Sequence, residues 1–172
     1  MKCPFCGSEN MSGVDDCEYC AGNLSSLDGI VPVTKIEKVL VGDPITKLRP
    51  RAASVIEAKS NALDAVRLMN REKVGCVLVT QQAKVVGILT ERDIVFKVLA
   101  KKKRPADMLV EMLMTPSPDV LTDEDTLAVA LNEMSVGGYR HIPISRKGKL
   151  DSIISVRDVL KYLAKLFPET AR

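Results

Sequence analysis

The sequence predicts an α+β protein in which two β-α-β-β-α units pack as a pseudo-two-fold pair, preceded by a small cysteine-rich metal domain. Three observations carry this reading. The apolar pattern recurs without a gap at one fixed offset, the one that carries Ile45 onto Val110. A strand-to-helix junction of the form Thr/Ser-x-Arg-Asp occurs twice at that offset, at Thr90–Asp93 and Ser155–Asp158. Two Cys-x-x-Cys pairs open the chain.

Composition sets the bounds. A chain of 172 residues suffices for one compact domain or two small ones. Its hydrophobic fraction of 46% allows a real core, and 3% aromatics without Trp makes that core aliphatic. A net charge of +3 neither demands nor excludes an anionic partner. No apolar run reaches the length of a membrane span, and no signal-peptide core stands at the N-terminus, so a cytoplasmic protein is expected. In a reducing compartment, four closely spaced cysteines point to metal rather than to disulfides.

Cys3-Pro-Phe-Cys6-Gly7 and Cys17-Glu-Tyr-Cys20-Ala-Gly22 form the metal domain, residues 1–24. In each pair two thiolates on one tight turn reach the same ion, with Gly7 and Gly22 supplying permissive backbone. Cys3, Cys6, Cys17 and Cys20 together make a closed tetrahedral sulfur site, the arrangement of structural zinc. A segment this short cannot fold on a core of its own, which favours metal over a reduced tail. The Cys-Pro-x-Cys-Gly form resembles the knuckles of zinc ribbons and rubredoxins, so iron is a second possible occupant. A closed site offers no open position for catalysis. It implies a structural role, or a surface that faces a protein partner.

Residues 25–42 read as a linker with a short helix at about 35–41, and Gly42-Asp43-Pro44 resets the chain. The repeat follows, with units assigned to 43–104 and 105–167 and a tail at 168–172. Each unit reads as a short strand (about 53–57, then 118–122) and a one-sided helix (about 61–72, then 125–136). Two strands joined by a polar turn come next (75–80 and 84–89, then 140–145 and 149–154), and a final helix (about 91–103, then 156–166). Ala62, Ala65, Val66 and Met69 share one face of the first helix. One unit buries too little alone, so the two are expected to pack together.

The repeated junction has a structural explanation and a functional one. Ser or Thr at an N-cap with an acid three residues later satisfies the free amides of a helix start. That accounts for the hydroxyl and the acid, but not for Arg92 and Arg157 between them. A helix start also suits phosphate, a hydroxyl can donate to it, Arg can pair with it, and a carboxylate can accept from ribose hydroxyls. Hydroxyl, guanidinium and carboxylate together make a nucleotide reader.

With these residues in place, the chain is similar to tandem CBS domains, the pair called a Bateman module, over about 43–165. Ile142-Pro-Ile144 and Met114-Thr-Pro116 add to the resemblance. It implies paired central sheets with helices outside, and clefts between the units that bind AMP, ADP, ATP, S-adenosylmethionine or a related adenosyl ligand. It implies a regulatory role without chemistry, and a homodimer formed face-on through the helices. Carried over by position, Asp93 and Asp158 would hold the ribose in two sites. Thr90 and Ser155 would touch ribose or phosphate, and Arg92 and Arg157 the phosphates. The base would lie on the first strand of the same unit, near Ser54-Val55 or Asp119-Val120, closed by Val74 and Cys76 or by Tyr139, His141 and Pro143. The copies differ. Gly87 permits close backbone approach to a ligand where the second copy has Ser152, while Tyr139 could stack on a base and Arg140 and His141 could meet phosphates. Two sites of unequal affinity are expected.

His141 is the sole histidine, so no Ser-His or His-metal constellation can be assembled, and no phosphate-loop or nucleophile motif appears. An enzyme is not expected. Cys76 reads as a core residue of a middle strand. Lys101-Lys-Lys-Arg104 reads as a solvated helix end; as a nucleic-acid patch it would give steep salt dependence, but before Asn23 the metal domain carries only Lys2. An iron-loaded redox-sensing knuckle is the remaining alternative, and visible colour would reveal it.

Overall fold

The computed structural model describes residues 2–3, 5–11, 14–22, 24 and 34–166. The first half of the expected linker (25–33) and the tail lie outside the described residues. From Thr34 onward the caps written in the sequence set the helices. Thr34 and Glu37 form a capping box at the start of α1 (Lys35–Gly42). Asn61 caps α2 (Ala62–Glu72) by accepting from the Asp64 amide, and Thr126 caps α4 (Leu127–Gly137) by accepting from the Val129 amide. Both end in a left-handed residue, Lys73 and Gly138.

Among the described residues, eight strands make two four-stranded sheets. One has the order β2 (Val55–Glu57), β3 (Cys76–Gln81), β4 (Lys84–Thr90), β5 (Thr115–Pro116). The other has the order β6 (Leu121–Thr122), β7 (His141–Arg146), β8 (Lys149–Ser155), β1 (Arg51–Ala52). The hairpins β3–β4 and β7–β8 are antiparallel, and each carries a register shift at the same repeat position, Val79/Thr80 and Ile144/Ser145. Both sheets put the apolar run of the middle strand inside, with Cys76–Thr80 buried in β3 and Ile142–Ile144 in β7. Leu78 and Ile88 of the first sheet pack with Leu150 and Ile153 of the second, so paired sheets lie at the centre as expected.

The sequence reading needs two corrections here. A short strand not expected from the sequence, β1 or β5, precedes the one expected at the start of each unit, and the two go to different sheets. Arg51 and Ala52 pair with Ile153 and Ser152 in the second sheet, whereas Val55–Glu57 pairs with β3 in the first. Thr115 and Pro116 pair with Ile88 and Gly87 of the first sheet, whereas Leu121 and Thr122 pair with β7. The turns before these strands follow them. Ile45 is fully buried with Leu121, Ile142 and Ile154, and Val110 and Leu113 are buried with Ala62, Val77 and Leu89. Backbone bonds fix the exchange: Ile45 N donates to Asp125 O (2.8 Å) and Val110 N to Ser60 O (2.9 Å). Each copy lends its leading segment to the other.

The second correction concerns the helix expected at 91–103. α3 (Glu91–Asp93) opens as an α-turn, continues as a π-helical stretch over Ile94–Leu99, and ends there. Its twin, α5 (Val156–Leu166), is a plain α-helix as expected.

Candidate functional site

The repeated junctions sit at equivalent places, where β4 meets α3 and where β8 meets α5. In the first, the Asp93 carboxylate accepts from the Thr90 amide (3.0 Å) and hydroxyl (2.6 Å), and from Lys97 Nζ (2.7 Å). In the second, Asp158 accepts from the Ser155 amide (2.9 Å) and hydroxyl (2.6 Å). It has no lysine there; its further partner is Arg51 at 4.0 Å. The helix-cap explanation therefore holds in both copies, and the same caps aim hydroxyl and carboxylate into clefts.

The first cleft, about 310 Å³, is lined by Thr90, Arg92 and Asp93 of the first unit and by Thr115, Ser117, Pro118, Asp119, Tyr139, Arg140 and His141. The second is divided into a narrow floor and an outer cleft of about 600 Å³. A cavity of about 40 Å³ joins Ser155 and Asp158 to Arg51, Ala52, Ala53, Ser54, Val74 and Cys76, and a wider cleft beside it is lined by Arg140, His141, Ser155 and Arg157. The grouping expected from sequence is thus crossed. Thr90 and Asp93 face Asp119 and Tyr139, not Ser54 and Val74; Ser155 and Asp158 face the latter set. The segment exchange causes this, because each leading segment lies beside the other unit's junction. Three residues stand outside these walls: Val55 and Val120 are exposed on the short strands' flanks, and Pro143 is buried inside β7. Arg51, Ser117 and Pro118 line the clefts and were not foreseen. Their signal lay just before the expected strands, where the chain enters the junction.

Across the first cleft, Arg92 donates to Gly138 O (3.3 Å) and its guanidinium lies 5.7 Å from the Phe96 ring centroid. Tyr139 donates its hydroxyl to Asp119 (2.9 Å). Burial, together with that carboxylate, pushes the Tyr139 phenol up, so it stays a neutral donor. Burial pushes the Cys76 thiol up to about 12, in keeping with a core residue. Gly87 does not leave room for a ligand. A side chain there would strike Met114 Sδ at 2.6 Å and Thr115 O at 2.9 Å, so the glycine serves the approach of β5.

His141 lines both clefts and lies against Gly75, whose added Cβ would sit 3.3 Å from the ring. Burial first, then Arg140 and Arg157, hold its pKa below the usual histidine range, against Glu91 and Asp158, which favour the proton. The folded state therefore prefers neutral imidazole. Above about pH 6.5, the unfolded value, the group contributes nothing to pH dependence; below it the unfolded chain takes the proton first, and stability falls until the folded pKa is reached. Wild type should lose more thermal stability between pH 7.5 and 5.5 than His141→Gln does. Equal losses would show that another group governs that window.

The four N-terminal cysteines converge. Cys3 Sγ lies 3.7 Å from Cys20 Sγ and Cys6 Sγ 3.6 Å from Cys17 Sγ, and all four sulfurs fall within 4.8 Å of one another. Sulfurs about 2.3 Å from a tetrahedral metal stand about 3.8 Å apart, so the set fits such an ion. The Phe5 amide and the Asn10 side-chain amide point at Cys3 and Cys17 Sγ (3.4 Å each), as suits thiolates. The two turns match: Gly7 N donates to Cys3 O and Ala21 N to Cys17 O. The left-handed residues are Gly7 (φ +76°) and Ala21 (φ +53°), not Gly22. Gly22 is required for another reason, since a Cβ there would meet the Phe5 ring at 2.8 Å.

A duplicated β-α-β-β-α unit with a cleft at each strand-to-helix junction defines a tandem-repeat module. The CBS domain family model matches residues 50–100 and 110–165, and the chain belongs to that family. It is 33% identical over 120 residues to the CBS domain-containing protein CBSCBSPB2 of Arabidopsis thaliana, covering 69% of this chain and 22% of that protein. It is 33% identical over 121 residues to an uncharacterized 17.7 kDa protein in the bps2 3'region of Acidianus ambivalens, covering 69% and 72%. Among solved structures, the CBS-domain containing protein ATU1752 from Agrobacterium tumefaciens aligns with a TM-score of 0.64 at 28% identity, over 69% of this chain and 97% of that one. A hexameric CBS-CP12 protein from bloom-forming cyanobacteria aligns at 0.66 and 27%, over 73% and 75%. The chain spans about a quarter of the length of the Arabidopsis relatives, 22% and 25% of two of them. Among the described residues no helix is long and apolar enough to cross a membrane.

Proposed function

We propose that the chain is a regulatory protein that senses an adenine nucleotide in the clefts between its two CBS units, with a metal-bound cysteine knuckle attached. The observation that carries this is the first cleft. A hydroxyl, a carboxylate and a helix start face Tyr139, Arg140 and His141 across one cavity, which matches phosphate, ribose and base in a single ligand. AMP, ADP, ATP and S-adenosylmethionine are the candidate ligands. The role is regulatory rather than catalytic: ligand binding would change the angle between the units or the packing of a homodimer. Val95, Phe96, Leu99 and Leu160 are exposed on the outer helices, and a hexameric relative of the same fold exists, both of which support self-association. The metal is proposed as zinc, with iron the alternative, and the knuckle as a structural element that also meets a protein partner.

Calorimetric titration with AMP and ATP tests the proposal. Two unequal sites are expected, the tighter one in the Asp93 cleft, where the junction faces Tyr139, Arg140 and His141 across a single cavity. Asp93→Ala should remove that site and Asp158→Ala the weaker one, each loss being roughly tenfold or more if a charged hydrogen bond worth about 1.5–3 kcal/mol is removed. Binding that neither variant weakens would place the ligand elsewhere.

A further inference from the structure

α2 and α4 are the same helix in two copies, yet their outer faces differ. Where α2 has Asp64, Arg67 and Arg71, α4 has Val129, Asn132 and Val136. Asp64 and Arg67 are exposed and paired with each other at 3.3 Å, whereas Val129 is only 7% exposed. The two helices share an inner face: Ala62, Ala65 and Met69 in one, Leu127, Ala130 and Met134 in the other. α4 is apolar beyond that face at Val129, which is buried with the cluster of Ile45, Leu121 and Ala130, and at Val136, which is 79% exposed.

The N-terminal part of the same chain meets α4 near Val129. α1 packs along it. Gly7 of the first cysteine turn sits on Val129: a Cβ built there would lie 3.8 Å from Val129 Cγ2. Gly7 follows Cys6, and its amide closes the turn onto Cys3 O. The backbone that touches α4 is thus the turn that carries two of the four sulfurs. Among the described residues the buried cluster around these turns is Cys3, Cys17 and Leu24 with Phe5 and Val14 partly buried against it, a core too small to hold the turn in shape firmly without an ion. At its other end α4 runs into the first cleft, where Gly138 O accepts from Arg92 and Tyr139 meets Asp119.

We propose that the cysteine knuckle is a metal-dependent cap on the outer face of α4, so that metal occupancy firms the helix whose C-terminal end walls the Thr90–Asp93 cleft. This rests on the reading that the four cysteines hold a metal. Its occupant is intramolecular, the first knuckle turn, and its seat is Val129. An α2-like surface could not accept it, because a carboxylate stands at the seat.

Hydrogen-exchange mass spectrometry on the full chain tests the cap, comparing zinc-loaded protein with protein stripped by a chelator, and counting released zinc with a chromogenic dye. Cys17→Ser/Cys20→Ser is the genetic equivalent and guards against effects of the chelator. Peptides over 127–141 should exchange several-fold faster after stripping and in the variant, while peptides over 62–72 keep their rate. Zinc bound and released one per chain, with 127–141 unchanged, overturns the cap and leaves the metal site standing. Equal acceleration of 62–72 and 127–141 also overturns it, as general loosening. Absence of bound zinc and iron overturns the metal reading, and the cap with it.

Discussion

Ile45→Ala should destabilise the chain by about 2–5 kcal/mol, and the damage should appear in the second unit. Ile45 opens the first copy in sequence, but its side chain is fully buried against Leu121, Ile142 and Ile154 of the second. Truncation leaves a cavity in a core that the 3-10 turn Ile45–Leu48 closes from outside, with its amide tied to Asp125 O. Denaturant unfolding measures the loss. Hydrogen exchange locates it: β7 and β8 should lose protection before β3 and β4 do. Greater loss in β3 and β4 would mean that the leading segment packs on its own copy.

Gly87→Val should cost about 1–3 kcal/mol or more, through overpacking. The new side chain would meet a backbone oxygen, Thr115 O, as well as Met114 Sδ, and a backbone atom yields less readily than a side-chain tip. β5 pairs with β4 at this point, Gly87 opposite Pro116, so the strand must move off. The second copy tolerates a side chain in the same place. Ser152 is 2% exposed opposite Ala52 of β1, and its hydroxyl donates to Asp151 and accepts from Arg146. Ser152→Gly should therefore lower the melting temperature less than Gly87→Val. The reverse order would place β5 away from β4.

Much of this architecture was legible in the sequence. The inner faces of α2 and α4, the two hairpins and the caps at Thr90 and Ser155 follow from periodicity and from residue types that act locally. The four cysteines were legible because their spacing alone dictates two turns on one centre. The exchange of leading segments was not legible, for a specific reason. Ile45 and Val110 are alike in shape, and so are the cores that receive them; a gap-free repeat fits equally well whether each leader packs on its own copy or on the other. The pairing of cleft walls was misread for the same reason, since it depends on which leader lies beside which junction. The role of Gly87 was missed because its neighbour, Met114, is distant in sequence. The outer face of α4 was visible as an apolar excess, but nothing local in Val129 or Val136 says that Gly7 covers one of them.

The central claim is that the paired junctions read an adenine nucleotide. Thermal unfolding of the metal-loaded chain tests it most directly, with AMP, ADP, ATP, S-adenosylmethionine and NAD, beside the variant Thr90→Ala/Asp93→Ala/Ser155→Ala/Asp158→Ala. The variant will melt lower on its own because it loses two caps, so the quantity to read is the shift each ligand adds. A ligand at 100 times its dissociation constant contributes about 2.7 kcal/mol, or about 5–10 °C for a chain of this size. A shift of that order with at least one adenosyl ligand, absent in the variant, is the predicted result. No shift with any of them, or an equal shift in the variant, would contradict the account and leave the two junctions as helix caps.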